Sequence, residues 1–473
     1  DHNVTLYQYL LTYQGQYSVS ALFGVPVGNG VCHGDDLIYL WVVKAVGTAD
    51  VTSLLGNMLN VSFFSIIASI NKIVSPLGEL KGDDLILCKT MVGFWIDFIS
   101  SGDPNLISDV WNPAEKDHKY LNISGLNPSM DSSTTLDERM ALWEEIMNTK
   151  VTTSPETPTD DTTTGSTVPP TTSPVAPPTI CLETNKEICY KGSWMTTESD
   201  YNATFASFQG IQYAQAPIGD LRFKSPLPYQ ETIGEHDVSK KVDILCTQFA
   251  QMTGSKSSEE AVIQEDCLLL NIYAPDIAID GLPLPVLVWI HGGALTLGSG
   301  RMDEYGPQYF MDTESVVVVT INYRLGPFGF LSMGTDNVPG NAGFRDQSLA
   351  LKWVNDNIAN FGGDPETITI AGESAGSLSV ALHLVSPMSQ GLFKRAILQS
   401  GTGLSPNWEP NTPEQALKQA DLVSTAVGCD EEDDILECLQ RRDVDEFVSM
   451  TLEWASPWQG VLDNGFTSDP FLP

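Results

Sequence analysis

Apolar positions in the second half of the chain come in short unbroken runs, separated by polar, helix-compatible stretches. Pro285–Ile290 and Val316–Ile321 are almost wholly apolar. That is the pattern of strands buried on both faces of a mostly parallel sheet. Glu366–Ala371 is β-branched and apolar, and Arg395–Gln399 reads as a further strand. Between and after these strands, Ser348–Asn360 and Ser377–Val385 carry helical patterns. Strands alternating with helices predict an α/β doubly wound architecture. Nearer the start, Val4–Tyr9 reads as a strand and Thr90–Ser100 as a helix.

Residues 151–179 break the pattern. They are almost entirely Thr, Pro, Ser and small residues, and such a segment cannot bury enough apolar surface to fold. Its composition fits an extended, O-glycosylated stalk, with a plain disordered linker without sugar as the alternative. The chain therefore divides into residues 1–149, a linker over 150–179, and residues 180–473.

Bulk composition narrows the chemistry. The 473 residues carry a formal net charge of −36, and 42% are hydrophobic. The hydrophobic share supports a sizeable core, and the acidity argues against nucleic acid or an anionic membrane as partner. Eight cysteines are present without a C-x-x-C motif, which argues against a zinc site or a redox dithiol, and no cofactor is implied. Sequons stand at Asn3, Asn60, Asn122 and Asn202; Asn127 precedes proline and is excluded. With an even cysteine count, they favour an oxidising, extracellular setting.

Gly372-Glu373-Ser374-Ala375-Gly376 lies between the Glu366–Ala371 strand pattern and the helix pattern from Ser377. This is the G-x-S-x-G nucleophile elbow, in which a sharp strand-to-helix turn lifts a serine hydroxyl above the sheet. Ser374 is the candidate nucleophile, and a serine hydroxyl needs a neighbouring base to become reactive.

Several further segments share one pattern: Gly210-Ile211-Gln212-Tyr213-Ala214, Leu221-Arg222-Phe223, Glu265-Asp266-Cys267-Leu268-Leu269-Leu270-Asn271, His291-Gly292-Gly293, Asn322-Tyr323-Arg324 and Phe361-Gly362-Gly363-Asp364-Pro365. From about residue 181 onward, the chain resembles the first two-thirds of the type-B carboxylesterase/cholinesterase family. The resemblance implies an α/β-hydrolase fold and hydrolysis of small carboxylic esters. It also implies oxyanion donors at the backbone N–H groups of Gly293, Ala294 and Ala375. Ala294 stands where the family usually has a third glycine; its methyl group keeps the N–H and narrows the acyl pocket. Disulfides Cys246–Cys267, over the active-site mouth, and Cys429–Cys438 match family positions. Cys181/Cys189 and Cys32/Cys88 are further candidate pairs. The Cys246–Cys267 loop holds no tryptophan, which argues against choline selectivity.

Residues 1–149 resemble the final third of the same family. Gly30-Val31-Cys32-His33-Gly34-Asp35-Asp36-Leu37 looks like the segment with the catalytic histidine, Phe94-Trp95-Ile96-Asp97-Phe98-Ile99 like its late helix, and Arg139-Met140-Ala141-Leu142-Trp143 like its closing helix. His33 is thus the family-matched base; His236, His291 and His383 are poorer candidates. The order, histidine before serine, inverts that of α/β hydrolases. A tandem protein explains it: the tail of one esterase domain, a stalk, and the head of the next. Circular permutation is the rival, but the family's natural end near Trp143 runs straight into the stalk. Too few positions follow Ser374 or precede His33 to hold the family's catalytic acid. The stretch is therefore expected to be feeble or inactive alone, with its two pieces docked as complementary parts of one fold. A non-catalytic adhesion or scaffold protein of the same fold is the alternative function.

Overall fold

In a computed structural model, the described residues are 9–11, 91–92, 95–101, 119–123, 129–132, 176–199, 201–248, 261–279, 281, 283–402, 409–453, 458–463 and 467–472. Three short strands from the first piece form one sheet: β1 (Tyr9–Leu11) runs parallel to β2 (Lys119–Ile123), and β2 antiparallel to β3 (Ser129–Ser132). Of the expected strand Val4–Tyr9, only Tyr9 is described, and the strand continues to Leu11.

After the linker, β4 (Thr179–Leu182) and β5 (Asn185–Lys191) form a hairpin closed by the Cys181–Cys189 disulfide, and β8 (Gly234–Asp237) joins β5 in parallel. The main sheet has seven strands. It is built from β6 (Ser193–Thr196), β7 (Thr204–Gln212), β11 (Leu269–Pro275), β12 (Leu284–Ile290), β13 (Val317–Ile321), β14 (Gly363–Glu373) and β15 (Arg395–Gln399). Their order is β15-β14-β12-β13-β11-β7-β6. The β13-β12-β14-β15 half is parallel, as the unbroken apolar runs predict, and the β13-β11-β7-β6 half is antiparallel. The expectation of a mostly parallel sheet therefore holds for one half only. β9 (Ile244–Cys246) and β10 (Val262–Gln264) make a separate parallel pair held by Cys246–Cys267.

Helical residues 95–101, here α1, come from the first piece. Met91, Val92, Trp95 and Ile99 are buried, the i, i+3/i+4 stripe of a helix facing a core. The Trp95 ring lies 6.4 Å from Trp289 on β12 and 6.1 Å from Phe310. Thus a helix from before the linker docks on a sheet from after it. On the second piece, α2 (Ala342–Asn357) and α3 (Ala375–His383) pack on β14, and α4 (Pro413–Ala426), α5 (Ile435–Arg441) and α6 (Val444–Glu453) follow. α2 starts earlier than its apolar pattern, because its polar first turns are buried against ion-pair partners. Arg345 bonds Asp463 at 2.7 Å, and Asp346 accepts from Arg324 Nη2 at 2.6 Å. Among the described residues no helix is long and apolar enough to cross a membrane.

Register places the site. Ile290 ends β12 beside Gly372 on β14, and Glu373 ends β14 beside Gln399 on β15. The loops leaving β12 and β14 therefore emerge side by side at the carboxyl edge of the parallel half, where open α/β sheets bind ligands.

Candidate active site

Ser374 sits between the last residue of β14 and the first of α3, with φ 56° and ψ −119°. Non-glycine residues hold such a conformation at a cost of about 1–3 kcal/mol, and only where the surroundings over-determine it. Here the Ser374 N–H donates to Gln399 O at 2.9 Å, and Ser374 O accepts from the Leu378 N–H at 2.9 Å. The side chain makes no capping hydrogen bond, although the residue is the N-cap of α3. It is half-buried while its neighbours Glu373 and Ala375 are buried.

The flanking glycines are steric requirements. A Cβ on Gly376 would lie 2.1 Å from Ile290 O, and one on Gly372 would lie 2.5 Å from the Gly376 carbonyl carbon. The turn can only be this sharp if both positions lack a side chain.

The loop after β12 holds the proposed oxyanion donors. His291 Nδ1 donates to Gly292 O at 2.8 Å. In a trans peptide the carbonyl and the next N–H point in opposite directions, so this bond turns the Gly293 N–H away from the imidazole. Gly293 O accepts from the Thr296 and Leu297 N–H groups, both at 3.0 Å, which fixes the Ala294 N–H in the same way. Ala294 is left-handed, φ 57°, a region that favours the glycine the family usually has there. The Ala375 N–H opens the first turn of α3 and has no intrahelical acceptor, as at any helix start. A Cβ on Gly292 would lie 3.3 Å from Ser374 Cβ, so loop and elbow touch. A serine hydroxyl beside a glycine-containing loop and a helix N-terminus is an arrangement in which backbone amides can stabilise charge on a carbonyl oxygen during acyl transfer.

Two histidines near the elbow are structural. His291 is fully buried and stacks on Tyr323 at 4.4 Å; burial lowers its pKa to about 4. His383, on α3, donates from Nε2 to Gln347 Oε1 at 2.9 Å and accepts at Nδ1 from the Ser389 hydroxyl at 2.6 Å. Burial lowers its pKa to about 3. Both are neutral and committed to fixed partners. His236 bonds the Thr232 carbonyl at 2.8 Å. Glu373 is buried beside the Gly292 backbone, its Oε2 3.0 Å from where a Gly292 Cβ would stand. Among the described residues, no group of three or more His, Cys, Asp or Glu side chains is placed to hold a metal ion.

His33 and Cys32/Cys88 lie outside the described residues, as do Asn3, Asn60 and residues 249–260, on which the loop over the mouth depends. Asn122 lies on β2. Asn202 is exposed in a left-handed turn, φ 47°. Cys246–Cys267, Cys429–Cys438 and Cys181–Cys189 are all bonded. Sequence reasoning missed the outer support of the oxyanion loop: Gln248, Gly298, Arg301 and Glu304. None belongs to a run or motif with a chemical signature, so only the fold brings them together.

Comparison with known proteins identifies the family and the fold. The Carboxylesterase family profile matches residues 191–472. A carboxylic ester hydrolase of Bombus ignitus is 41% identical over 281 residues, covering 58% of this chain and 49% of the relative. Venom carboxylesterase-6 of Apis mellifera is 40% identical over 292 residues, covering 60% and 50%. The crystal structure of juvenile hormone esterase from Manduca sexta, with OTFP covalently attached, superposes with a TM-score of 0.57 at 33% identity, covering 62% of this chain and 55% of that one. The chain spans about half the length of the curated relatives it matches. The fold is that of the α/β hydrolases, and the chain belongs to the carboxylesterase family.

Proposed function

We propose that the chain carries the nucleophile of a serine carboxylesterase that cleaves small carboxylic esters through an acyl-enzyme. The observation that carries this reading is Ser374 itself: a half-buried hydroxyl on a strained turn, touching the Gly292–Ala294 loop and opening a helix whose first amide is Ala375. In the reaction, Ser374 Oγ attacks the ester carbonyl and its proton passes to a base, for which His33 is the family-matched candidate. The N–H groups of Gly293, Ala294 and Ala375 receive the oxyanion. Collapse expels the alcohol, and water then releases the acid by the same steps.

The motif order, His33 before Ser374, supports a tandem arrangement, with residues 1–149 as the C-terminal part of one carboxylesterase domain and 180–473 as the N-terminal part of another. Loss of the orienting acid from such a triad lowers turnover by about 10⁴; if residues 1–473 lack that group, as the family's spacing implies, the isolated stretch is a weak catalyst. The three disulfides among the described residues and the four sequons support an extracellular location with sugars on the sequon asparagines.

A fluorophosphonate probe applied to the natively produced, full-length polypeptide tests this reading. It should label Ser374, and Ser374→Ala should abolish both the label and ester turnover. A folded protein with no adduct at Ser374 would favour the scaffold function instead.

A further inference from the structure

We propose that Gln248 is a positioning residue for acyl transfer, holding the Gly293 N–H in place through Gly298 and His291; this rests on the esterase reading. Gln248 is buried just after Cys246, with its amide facing the backbone of Gly298. Its Nε2 donates to Gly298 O, and its Oε1 accepts from the Gly298 N–H, each at 3.0 Å. The second Nε2 hydrogen donates to Cys246 O at 3.0 Å. Every hydrogen-bonding group of the side chain is thus directed, and Gly298 is gripped on both its donor and its acceptor.

Gly298 is the far end of the loop whose near end is His291. It is left-handed, φ 110°, and packs so closely that a Cβ would lie 2.6 Å from His291 Nδ1 and 2.7 Å from Gly292 O. Those two atoms are the donor and acceptor of the bond that turns the Gly292–Gly293 peptide. Gly298 therefore walls in that hydrogen bond, and Gln248 walls in Gly298. The imidazole is held from the other side by stacking on Tyr323, whose hydroxyl donates to His291 O at 2.9 Å. Beyond Gly298, Arg301 and Glu304 anchor the next turn through Ser299. Remove the Gln248 amide and the loop keeps its β12 end and its Ser299 anchor, but Gly298 loses both of its hydrogen bonds to Gln248. The Gly293 N–H can then rotate, which matters only once charge develops on the carbonyl oxygen.

That timing separates positioning from simple folding. An interaction made in the transition state alone moves kcat and leaves KM. The test uses the full-length polypeptide with Gln248→Met, which keeps shape without polarity, and Gln248→Glu, which keeps the acceptor and loses the donor. Turnover of a p-nitrophenyl ester is measured beside inhibition by a trifluoromethyl ketone. With the ketone, Ser374 Oγ bonds to the carbonyl carbon, its proton passes to the base, and the π pair becomes an oxyanion in the same pocket.

The expected result is a kcat lowered by about 10- to 100-fold, less than outright loss of a donor gives. Ketone inhibition should weaken by the same factor, with KM within about threefold of wild type and with Gln248→Met or Gln248→Glu still folded at the assay temperature. Retention of kcat and ketone affinity, or KM rising in step with the ketone constant, overturns the proposal. So does failure of both variants to fold, which would make Gln248 a folding residue only. If wild-type protein forms no ketone adduct on Ser374, the esterase reading itself falls; an adduct that Gln248 substitutions leave unaffected removes this inference alone.

Discussion

The Arg395 guanidinium, at the start of β15, donates to the Ile99 carbonyl at 2.8 Å, joining two pieces of chain separated by the Thr/Pro linker. A cation at the carboxyl end of a helix also meets the negative end of its dipole. Beside it, Trp95 is only 4% exposed and packs on Trp289 and Phe310. Burying a tryptophan and truncating it to alanine differ by about 3–5 kcal/mol in folded stability. With a protease site inserted in the linker of the intact chain, the cut pieces should still co-elute on native size exclusion. Trp95→Ala combined with Arg395→Ala should let them separate. Dissociation of the cut wild type would sink the idea that the two pieces complement one another.

The elbow glycines make a sharper prediction. Gly376→Ala would place a methyl group 2.1 Å from Ile290 O, where only backbone could yield. Gly401→Ala has a milder clash, 2.7 Å from Ser374 O. Overpacking of this kind costs about 1–3 kcal/mol or more. Thermal midpoints should fall for both, further for Gly376→Ala, and fluorophosphonate labelling of Ser374 should fall with them. Normal labelling in Gly376→Ala would mean that the turn is looser than its geometry.

How much of this was legible in the sequence follows from which forces are local. Val316–Ile321 and Arg395–Gln399 were readable because a strand buried on both faces needs an unbroken apolar run. The elbow was readable because its steric demand falls on residues five positions apart or fewer. Two motif residues, the buried Arg222 and the half-buried Glu265, proved to be a bidentate pair with both bonds at 2.7 Å, although neither motif names the other. The first turn of α2 was illegible. Asn341-Ala342-Gly343 lies outside the helical pattern read over Ser348–Asn360, yet Gly343 is needed there, since a Cβ would lie 2.6 Å from Arg324 O. The antiparallel half of the sheet was illegible for a related reason: strand direction is set by connections between distant segments, and apolar runs carry no sign. Gln248 was invisible because its partner lies fifty positions away.

Asp346 is fully buried on α2 and accepts from the Arg324 backbone N–H at 3.1 Å as well as from its guanidinium. Burial raises its pKa first of all, and Arg324 opposes that rise. Removing one partner of a buried pair leaves an uncompensated charge and costs about 3–5 kcal/mol. Asp346→Ala should therefore lower the urea midpoint more than Lys352→Ala, which breaks an exposed pair with Asp356 on the same helix worth about 0.3–0.5 kcal/mol. Equal shifts would show that the Arg324 charge finds solvent.

Buried neutral histidines give the fold an acid weakness. His291 and His383 titrate at about 4 and about 3 when folded, against roughly 6.5 when unfolded. Between those values the unfolded chain binds more protons, so stability is complete above about pH 6.5 and falls as pH drops, by up to about 1.4 kcal/mol per pH unit for each histidine. The structural cause at His383 is specific. Its Nδ1 accepts the Ser389 hydroxyl proton, so a second proton on the ring would face that hydroxyl and force Ser389 to turn. His383→Gln removes one of the two uptake sites while leaving His291 in place. Urea midpoints taken at pH 7, 6 and 5 should fall for both proteins, with the variant's slope shallower by the share of one histidine. Parallel curves would mean that His383 is already protonated or solvated in the folded chain, contrary to its two fixed hydrogen bonds.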